Sequence, residues 1–462
     1  MKKIIKIGFL SLSIAAATIA CSEDFVEREF YQDVEQAPLK TVNEVQAFVR
    51  GIYSSMRATA YYGADFLAYA EVRSDEMYST LQAGYYQNVY NYTMLSNDPY
   101  AVNTYNQIYT AVAKANIVIN TDMSTLEGGA ANQNAGFYAQ GQAYGLRAIT
   151  FFDAFRLYGQ KYIPTGTLGI VLPLKYDPKA LMPRATIAET EAQIEADFTK
   201  ALALMTANSS GQSASKTELN INSLKGMMSR FYLYKGDYVK VRSLTADIYK
   251  KYTVASPDLF QTTFSFIMNG AAPNSIFELA VGINSSLSTG SYRQRLNPQG
   301  YANVVVSKAA YDSYTDTDIR KKLITISGGV RYLSNNNGTG KYTNIVGADN
   351  IKMLRYEEIL LNGVEAELNG GDPLKALEYY NLIITNRGLP AATSVTIPLL
   401  KQERMKELLG EGLRQWDLRR WGDTVPRPSS ASTDANLNAF PIPRGETDLA
   451  NSPIKSNPGY DN

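Results

Sequence analysis

The sequence contains no histidine, one cysteine and two tryptophans among its 462 residues. Without histidine, Ser–His and Cys–His nucleophile pairs are excluded, and a zinc site is left with few of its usual ligands. A single cysteine cannot form an internal disulfide, so the fold does not depend on disulfides. Glycosidases use carboxylates rather than histidine, and that class of enzyme therefore stays open.

The chain also lacks an excess of charge of either sign. Lysine and arginine total 45, and aspartate and glutamate total 44. This balance gives no basic surface of the kind that binds nucleic acid, so we expect no nucleic-acid partner. Beyond the N-terminus, no apolar run reaches the ~20 residues that a membrane-spanning helix needs. Tyrosine, by contrast, is abundant at 33 residues.

The N-terminus has the pattern of a secretory signal. Lys2, Lys3 and Lys6 precede an apolar run over residues 7–19, and Cys21 follows. This pattern predicts a signal peptide over residues 1–20 that is removed and takes no part in the fold. The position of Cys21 is similar to the lipobox of bacterial lipoproteins, which implies acylation and a lipid anchor at the membrane. The alternative is an ordinary signal peptide with an incidental thiol.

Helical periodicity dominates the chain and predicts a mainly α fold. We expect helices over residues 43–56, 104–119, 135–158, 186–205, 222–234, 238–249, 351–368, 373–384 and 399–421. Gly236-Asp237 and Gly371-Asp372 each separate two predicted helices, which is the pattern of a tetratricopeptide-type repeat. Gly141, Gly145 and Ala148 form a stripe of small residues that would let another helix approach closely.

Long segments without helical periodicity interrupt this frame. They cover residues 60–103, 253–347 and 423–462, and they are rich in tyrosine or in turn-forming residues. Short β-leaning pieces occur around residues 275–283 and 301–307. Asn337-Gly338 predicts a hairpin turn. The chain is therefore predicted to be a helical-repeat frame with long loop insertions and small β insertions.

The C-terminal third carries several ordered motifs. They are "LRYEEILL" from Leu354, "ERMKELLGEGLRQWDLRRWGD" from Glu403, "FPIP" from Phe440 and "NPGY" from Asn457. The segments "GQAYGLRAITFFDAFRLYG" from Gly141 and "EVRSDEM" from Glu71 accompany them nearer the N-terminus. Together these motifs closely resemble the RagB/SusD family of outer-membrane nutrient-binding lipoproteins. Lys406 is a mild departure, because the family more often has arginine there.

The resemblance implies a SusD-like α/α superhelix in a single domain over residues 21–462, with an N-terminal part of about 21–235 and a C-terminal part of about 236–462. It also implies a lipid-anchored protein at the cell surface that captures an oligomeric nutrient without catalysis. The nutrient would be an oligosaccharide or a peptide, more often a glycan, and the partner a SusC-type TonB-dependent transporter. No cofactor is implied, and a structural cation is left open.

Two insertions supply the candidate ligand-binding residues. Aromatic faces can stack on sugar rings while nearby polar groups read the hydroxyls. We expect the loop over residues 81–92 and the segment over 291–301 to face each other and form the site. The predicted ligand-binding residues are Asp75, Tyr85, Tyr86, Gln87, Tyr90, Tyr292, Arg293 and Tyr301, with Arg295 beside them. The alternative is that most of these tyrosines fill small cores beneath the loops.

Three other functional readings remain at this point. The protein could be a peptide-binding member of the same family, a surface glycosidase that uses carboxylates, or a repeat scaffold that binds only protein. The charged residues over 403–417 have helix-compatible spacings, with Glu403–Lys406 and Glu411–Arg414 as candidate pairs. We interpret this set as a salt-bridge network, and Trp416 and Trp421 as packing residues.

Overall fold

Helices account for most of the regular structure in the computed structural model, which describes residues 37–461. The predicted signal peptide and Cys21 lie outside the described residues. Helices of eight or more residues are α1 (Val42–Met56), α2 (Asp65–Val72), α3 (Pro99–Ile119), α4 (Ala130–Tyr158), α5 (Ile187–Ala207), α6 (Ile221–Lys235), α7 (Tyr238–Ile248), α8 (Tyr356–Leu368), α9 (Pro373–Thr385), α10 (Ile397–Leu408) and α11 (Arg414–Trp421). The prediction of a mainly α fold is therefore confirmed.

Neighbouring helices along the chain pack as pairs, and the pairs pack on one another. Helix α4 lies against α5 and also contacts α1 and α3. Helices α6 and α7 form one pair, α8 and α9 form the next, and α7 packs on α8. Helix α10 then packs on α8. This arrangement buries one continuous apolar core and matches the predicted tetratricopeptide-like frame.

The turns inside two of these pairs follow from their glycine and aspartate residues. Gly236 ends α6 with a left-handed φ of 78°, and the Asp237 side chain accepts a hydrogen bond from the Lys240 amide at the start of α7. Between α8 and α9, Gly370 takes the left-handed conformation, with φ of 93°. Asp372 caps α9. The predicted turn, in which a glycine ends one helix and an aspartate caps the next, is therefore present in both pairs. In the second pair the left-handed glycine is Gly370 rather than Gly371.

The stripe of small residues on α4 allows α5 to approach closely. A Cβ atom at Gly141 would lie 2.7 Å from the Met205 Cγ and 3.1 Å from the Met205 backbone nitrogen. At Gly145 it would lie 2.6 Å from the Cδ2 of Leu219, in the segment between α5 and α6. The contacts at 2.6 Å and 2.7 Å are shorter than ordinary carbon contacts, so a side chain at Gly141 would push α5 away and one at Gly145 would displace Leu219.

Two predicted helices differ from the structure. Residues 351–355 form a strand, and α8 begins only at Tyr356, because the Ile351–Arg355 segment pairs with Ser275–Leu279. The predicted helix over 399–421 is two helices, because Gly410 and Gly412 adopt left-handed φ values of 76° and 75° between them. The predicted Asn337-Gly338 hairpin is reduced to an isolated bridge between Ser334 and Gly340.

Within residues 37–461, eight short strands form three small antiparallel sheets. They are β1 (Met77–Ser79), β2 (Leu168–Val171), β3 (Arg184–Thr186), β4 (Ser275–Leu279), β5 (Val304–Val306), β6 (Thr325–Ser327), β7 (Val330–Tyr332) and β8 (Ile351–Arg355). The largest sheet has the order β1-β5-β7-β6. In it, Met77 pairs with Val306 and Ser79 with Val304. Since β1 and β5 are antiparallel, the chain leaving β1 and the chain entering β5 emerge at the same end of the sheet.

A buried ion network ties the C-terminal helices together, as predicted. The Glu407 carboxylate accepts hydrogen bonds from Arg320, Arg355 and Arg387 at 2.9–3.1 Å. The predicted pairs Glu403–Lys406 and Glu411–Arg414 are wrong. Glu403 pairs with Arg320, Glu411 pairs with Lys341 and Arg355, and Arg414 pairs with Asp75. The break at 410–412 separates Glu411 from Arg414, which begins α11, whereas Glu403 stays in α10 and is drawn to the buried Arg320.

The two tryptophans serve packing and hydrogen bonding within the fold. The Trp416 ring is buried and stacks on Phe66 with ring centroids 6.2 Å apart. The Trp421 Nε1 donates to Glu365 at 2.9 Å. Within residues 37–461, no helix combines the length and the apolar character needed to cross a membrane.

Candidate functional site

The loops over 80–92 and 291–303 meet because they flank the paired strands β1 and β5. The Thr80 amide donates to the Asn303 carbonyl at 3.0 Å, and the Thr80 hydroxyl donates to the Ala302 carbonyl at 3.0 Å. The Asn303 side-chain amide donates to the Tyr85 carbonyl, also at 3.0 Å. These bonds continue the sheet pairing into the loops. The structure therefore brings together the two insertions that the sequence predicts to face each other.

Three side chains form a compact aromatic platform where the loops meet. The ring centroids of Tyr85 and Tyr301 lie 4.5 Å apart at an interplanar angle of 47°. The Arg295 guanidinium carbon lies 3.9 Å from the Tyr85 centroid and 4.7 Å from the Tyr301 centroid, within cation–π range. Tyr85 and Tyr301 are partly exposed, whereas Arg295 is buried. We call Tyr85, Arg295 and Tyr301 the tyrosine platform.

Buried polar groups hold the tyrosine platform from below. The Arg295 Nε donates to the Tyr86 hydroxyl at 3.2 Å, and that hydroxyl donates to the Asp65 Oδ1 at 2.7 Å. Burial raises the pKa of Asp65 to about 6, in spite of the Tyr86 hydrogen bond and the nearby Arg295 charge. Tyr86 itself is fully buried. It supports the platform and presents no ring face to solvent.

The backbone of these loops is unusually strained. Eight non-glycine residues among residues 37–461 have positive φ values. Six of them lie in or beside the two loops, namely Leu81, Ala83, Tyr86, Tyr92, Ser288 and Ala302. Such conformations cost of order 1 kcal/mol or more each and cluster at functional sites. Here the strain turns adjacent tyrosines in different directions, so that Tyr85 reaches the surface while Tyr86 points into the core.

Other predicted residues form the edge of this surface. Tyr90 is half-buried, and its ring centroid lies 6.5 Å from that of Tyr78, which comes from β1. The Gln87 side chain is exposed and makes no hydrogen bond with residues 37–461. Leu81 adds an apolar side chain that is 39% exposed. These groups extend the platform with both apolar faces and an amide free to bind hydroxyl groups.

Tyr292 and Arg293 lie away from the platform surface. Both are buried, and they line a small cavity of about 40 Å³ together with Tyr342 and Asp349. The Tyr292 ring packs edge-on against Tyr342 at 5.5 Å, and an Arg293 Nη2 donates to the Asn336 side chain at 2.5 Å. Burial raises the pKa of Asp349 to about 6. The structure does not bring Tyr292 and Arg293 together with Tyr85 and Tyr301 on one face.

Asp75 is engaged in the fold. Its carboxylate accepts two hydrogen bonds from Arg414, at 2.6 Å and 2.7 Å, although the side chain is one-third exposed.

Asp65 and Tyr78 take part in the site without having been predicted. Asp65 lies on α2 and Tyr78 on β1, and no local motif marks either residue. In the part of the chain that the structure describes, no group of three or more acidic or cysteine side chains is arranged to hold a metal ion.

Comparison with known proteins places this geometry in context. A family model described as "Starch-binding associating with outer membrane" matches residues 24–233, and a model described as "SusD family" matches residues 322–457. The SusD-like protein P38 of Formosa agariphila is 24% identical over 344 residues. That alignment covers 62% of this chain and 66% of the relative, slightly less than two thirds of its length.

Solved structures share the fold over nearly the whole chain. A SusD superfamily protein from Bacteroides vulgatus superimposes with a TM-score of 0.79 at 25% identity, covering 92% of this chain and 100% of that structure. Surface glycan-binding protein A from Bacteroides thetaiotaomicron, solved in complex with laminarihexaose, has a TM-score of 0.71 at 17% identity and covers 90% of this chain and 99% of its own. The two family models match successive parts of the chain, and together they cover most of its length. The chain therefore belongs to the SusD (RagB/SusD) family.

Proposed function

We propose that this protein captures an oligosaccharide at the cell surface and binds it at the tyrosine platform without changing it chemically. The observation that carries the proposal is the convergence of Tyr85, Arg295 and Tyr301 on one partly exposed surface. Sugar rings stack on aromatic faces, and their hydroxyls would bond to Gln87 and to polar groups of the loops. The similar protein solved with laminarihexaose supports the choice of a glycan.

The carboxylates around the two loops support binding rather than glycoside hydrolysis. A glycosidase needs two carboxyl groups that both reach the scissile bond. Asp65 is buried and accepts the Tyr86 hydroxyl, Asp75 pairs with Arg414, and Asp98 accepts bonds from Asn88 and the Tyr100 amide. Each of these three groups is committed to the fold. This favours a non-catalytic protein over the glycosidase alternative.

Isothermal titration calorimetry with laminarihexaose, a panel of other neutral and acidic glycans, and a mixed peptide pool tests this proposal. We expect one glycan class to bind and no new reducing ends to appear during incubation. The Tyr85→Ala/Tyr301→Ala double variant should bind at least tenfold more weakly, since each stacking contact contributes ~1 kcal/mol. Tyr311→Ala, a partly exposed tyrosine on another segment, serves as the control and should bind normally. Unchanged affinity in the folded double variant would rule out the platform.

The cellular setting is part of the same proposal. Acylation at Cys21 would tether the protein to the outer membrane, where a SusC-type TonB-dependent transporter would receive the glycan. The description of the family model as associating with the outer membrane supports this setting. Labelling with an alkyne analogue of palmitate should mark the wild-type protein and leave Cys21→Ala unmarked. Copurification with the transporter from membranes tests the partner, and a variant that lacks the two loops but keeps the helical repeats should still copurify if docking uses the repeats.

A further inference from the structure

A second concave surface lies away from the tyrosine platform and shares no residue with it. It is a groove of about 470 Å³ between α3, the segment over 171–182 and the segment over 446–454. Its volume falls within the range of ordinary ligand sites. Tyr105 and Tyr109, one turn apart on α3, line it with ring centroids 4.4 Å apart. We call this surface the α3 groove.

The rim of the α3 groove exposes large apolar side chains. Tyr176, Leu181 and Leu449 line the groove and are 46%, 48% and 52% exposed. Pro178, Pro453 and Ile454 extend the same apolar lining. Clustered exposed apolar groups mark surfaces that bind other proteins, whereas isolated ones need no explanation. None of these three exposed side chains fills a core, so packing of the fold does not account for the cluster.

One acidic side chain in the groove has no partner. The Glu446 carboxylate is partly buried near the hydroxyl groups of Tyr105 and Tyr109, and it makes no hydrogen bond or ion pair with any of residues 37–461. Burial raises the pKa of Glu446, and no nearby cation offsets this effect. Burial of an unpaired carboxylate is unfavourable, so a cation brought by a ligand would relieve that cost.

The other charged groups near the groove do not neutralise Glu446. Lys175 and Asp177 both line the groove, but they are exposed to solvent. Arg184 lies behind Tyr109 and donates to the carbonyl oxygens of Tyr158, Gly169 and Lys455, so its guanidinium is already engaged. The lining therefore carries the carboxylates of Asp177 and Glu446 and the ammonium group of Lys175. Among residues 37–461, the one charge inside the groove is the negative charge of Glu446.

From this combination we infer that the α3 groove binds an extended segment of a partner protein, with a lysine or arginine side chain directed at Glu446 and apolar residues on either side. The alkyl stem of the basic residue would lie against the partly exposed Tyr109 ring while its charged head reaches the carboxylate. The flanking residues would cover Tyr176, Leu181 and Leu449. This inference does not depend on the proposed glycan function.

Fluorescence anisotropy with the whole protein and pooled hexapeptides tests the inference. Each pool has leucine, isoleucine, phenylalanine or proline at the flanking positions, and the matched pools carry lysine, arginine, glutamine or glutamate at the third position. We expect the lysine and arginine pools to bind about fivefold or more tightly than the glutamine pool, as expected of a charge-assisted hydrogen bond. The glutamate pool should bind most weakly.

Variants of the groove separate charge from apolar contact. Glu446→Gln should remove the preference for basic pools, whereas Asp448→Asn, an equal change of charge two residues away and outside the groove lining, should keep it. Tyr176→Ala removes an exposed ring, so it should fold normally and weaken all pools. Failure of the basic pools to bind below about 1 mM, or a basic preference that survives Glu446→Gln, overturns the inference. Competition by laminarihexaose would also overturn it, because the groove would then be a glycan site.

The two proposals fail independently in these measurements. Tyr85→Ala/Tyr301→Ala should lose glycan binding and keep peptide binding, while Tyr176→Ala should show the opposite pattern. If peptides bind and no glycan binds, the assignment of the α3 groove stands. If a glycan binds and no peptide binds, the assignment of the tyrosine platform stands.

Discussion

The Asp75 carboxylate and the Arg414 guanidinium form a two-point ion pair, with oxygen–nitrogen distances of 2.6 Å and 2.7 Å. Asp75 precedes β1 and Arg414 begins α11, so the pair joins α11 to the strand that leads into the loop over 80–92. Paired geometry of this kind fixes orientation as well as charge. The pair holds Asp75 in the fold, so this residue can position the neighbouring loop without touching a ligand.

Asp75→Asn should therefore act on stability more than on affinity. We expect the free energy of unfolding to fall by about 1 kcal/mol, because the pair is partly solvent-exposed. Glycan affinity of the folded variant should change less than about twofold. Urea unfolding and calorimetry measure the two quantities. Asp312→Asn, which breaks an exposed pair with Lys308, is the control and should change neither. A tenfold loss of affinity at unchanged stability would instead make Asp75 a ligand contact.

The buried Asp65 should give the protein a distinctive pH dependence. Its pKa is about 6 in the folded state against 3.8 ordinarily. The folded state then binds more protons than the unfolded chain between about pH 4 and pH 6, so the free energy of unfolding falls as pH rises through this window. Asp65→Asn keeps an acceptor for Tyr86 but cannot ionise. Relative to this variant, the wild type should lose about 2 kcal/mol between pH 4 and pH 7.

Denaturant unfolding of both proteins at several pH values checks this prediction. The comparison isolates Asp65 because the other buried acids, among them Asp349, are present in both proteins and cancel in the difference. A constant difference across the pH range would show that Asp65 does not titrate in this window.

Glu407 should be among the most sensitive positions for stability. Its fully buried carboxylate forms ion pairs with three arginines. Burial alone would raise the pKa of Glu407, but the three positive charges hold it far below its usual value. Glu407→Gln leaves these cations undercompensated in the core, and we expect a loss of roughly 3–5 kcal/mol. Glu195→Gln, which affects a more exposed pair with Lys235 and Lys240, should cost less than about 1 kcal/mol. Equal losses in the two variants would contradict a special role for the buried network.

The contact between α4 and α5 predicts a strong effect of one added methyl group. Gly141→Ala would place a Cβ 2.7 Å from the Met205 Cγ and close to backbone, so we expect a loss of about 1–3 kcal/mol in thermal or urea unfolding. Gly445→Ala is the matched control, because nothing lies within 4 Å of the added atom there. It should be neutral or slightly stabilising. A neutral Gly141→Ala would mean that the two helices can separate at little cost.

Sequence periodicity predicts most of this fold because most of the helices α1–α11 run for eleven residues or more, which gives the pattern several turns to repeat. It fails where a distant partner decides the local structure. Residues 351–355 look helical, but they pair with β4, which lies more than seventy positions earlier, and local sequence carries no record of that partner. The break at Gly410 and Gly412 was equally hard to predict, because glycine is tolerated inside helices as well as at their ends.

The site shows the same division between local pattern and long-range contact. A tyrosine-rich loop is visible in the sequence, and so is the second insertion that meets it. The sequence does not reveal that Tyr85 lies at the surface while Tyr86 is buried, because irregular loops have no period that assigns neighbours to opposite sides. Nor does it reveal Asp65, whose part in the site depends on a hydrogen bond across 21 positions.

The segment over residues 71–76 finds several of its partners between 334 and 364 positions further along the chain. Glu71 and Glu76 accept hydrogen bonds from the amides of Gly412 and Gly410, and the buried Arg73 donates to the Leu437 carbonyl. A ribosome releases residues 71–76 long before it makes these partners. Residues 71–76 therefore lack these partners until residues 410–437 have been synthesised, and we expect removal of residues 410–437 to destabilise the structure around residues 71–76.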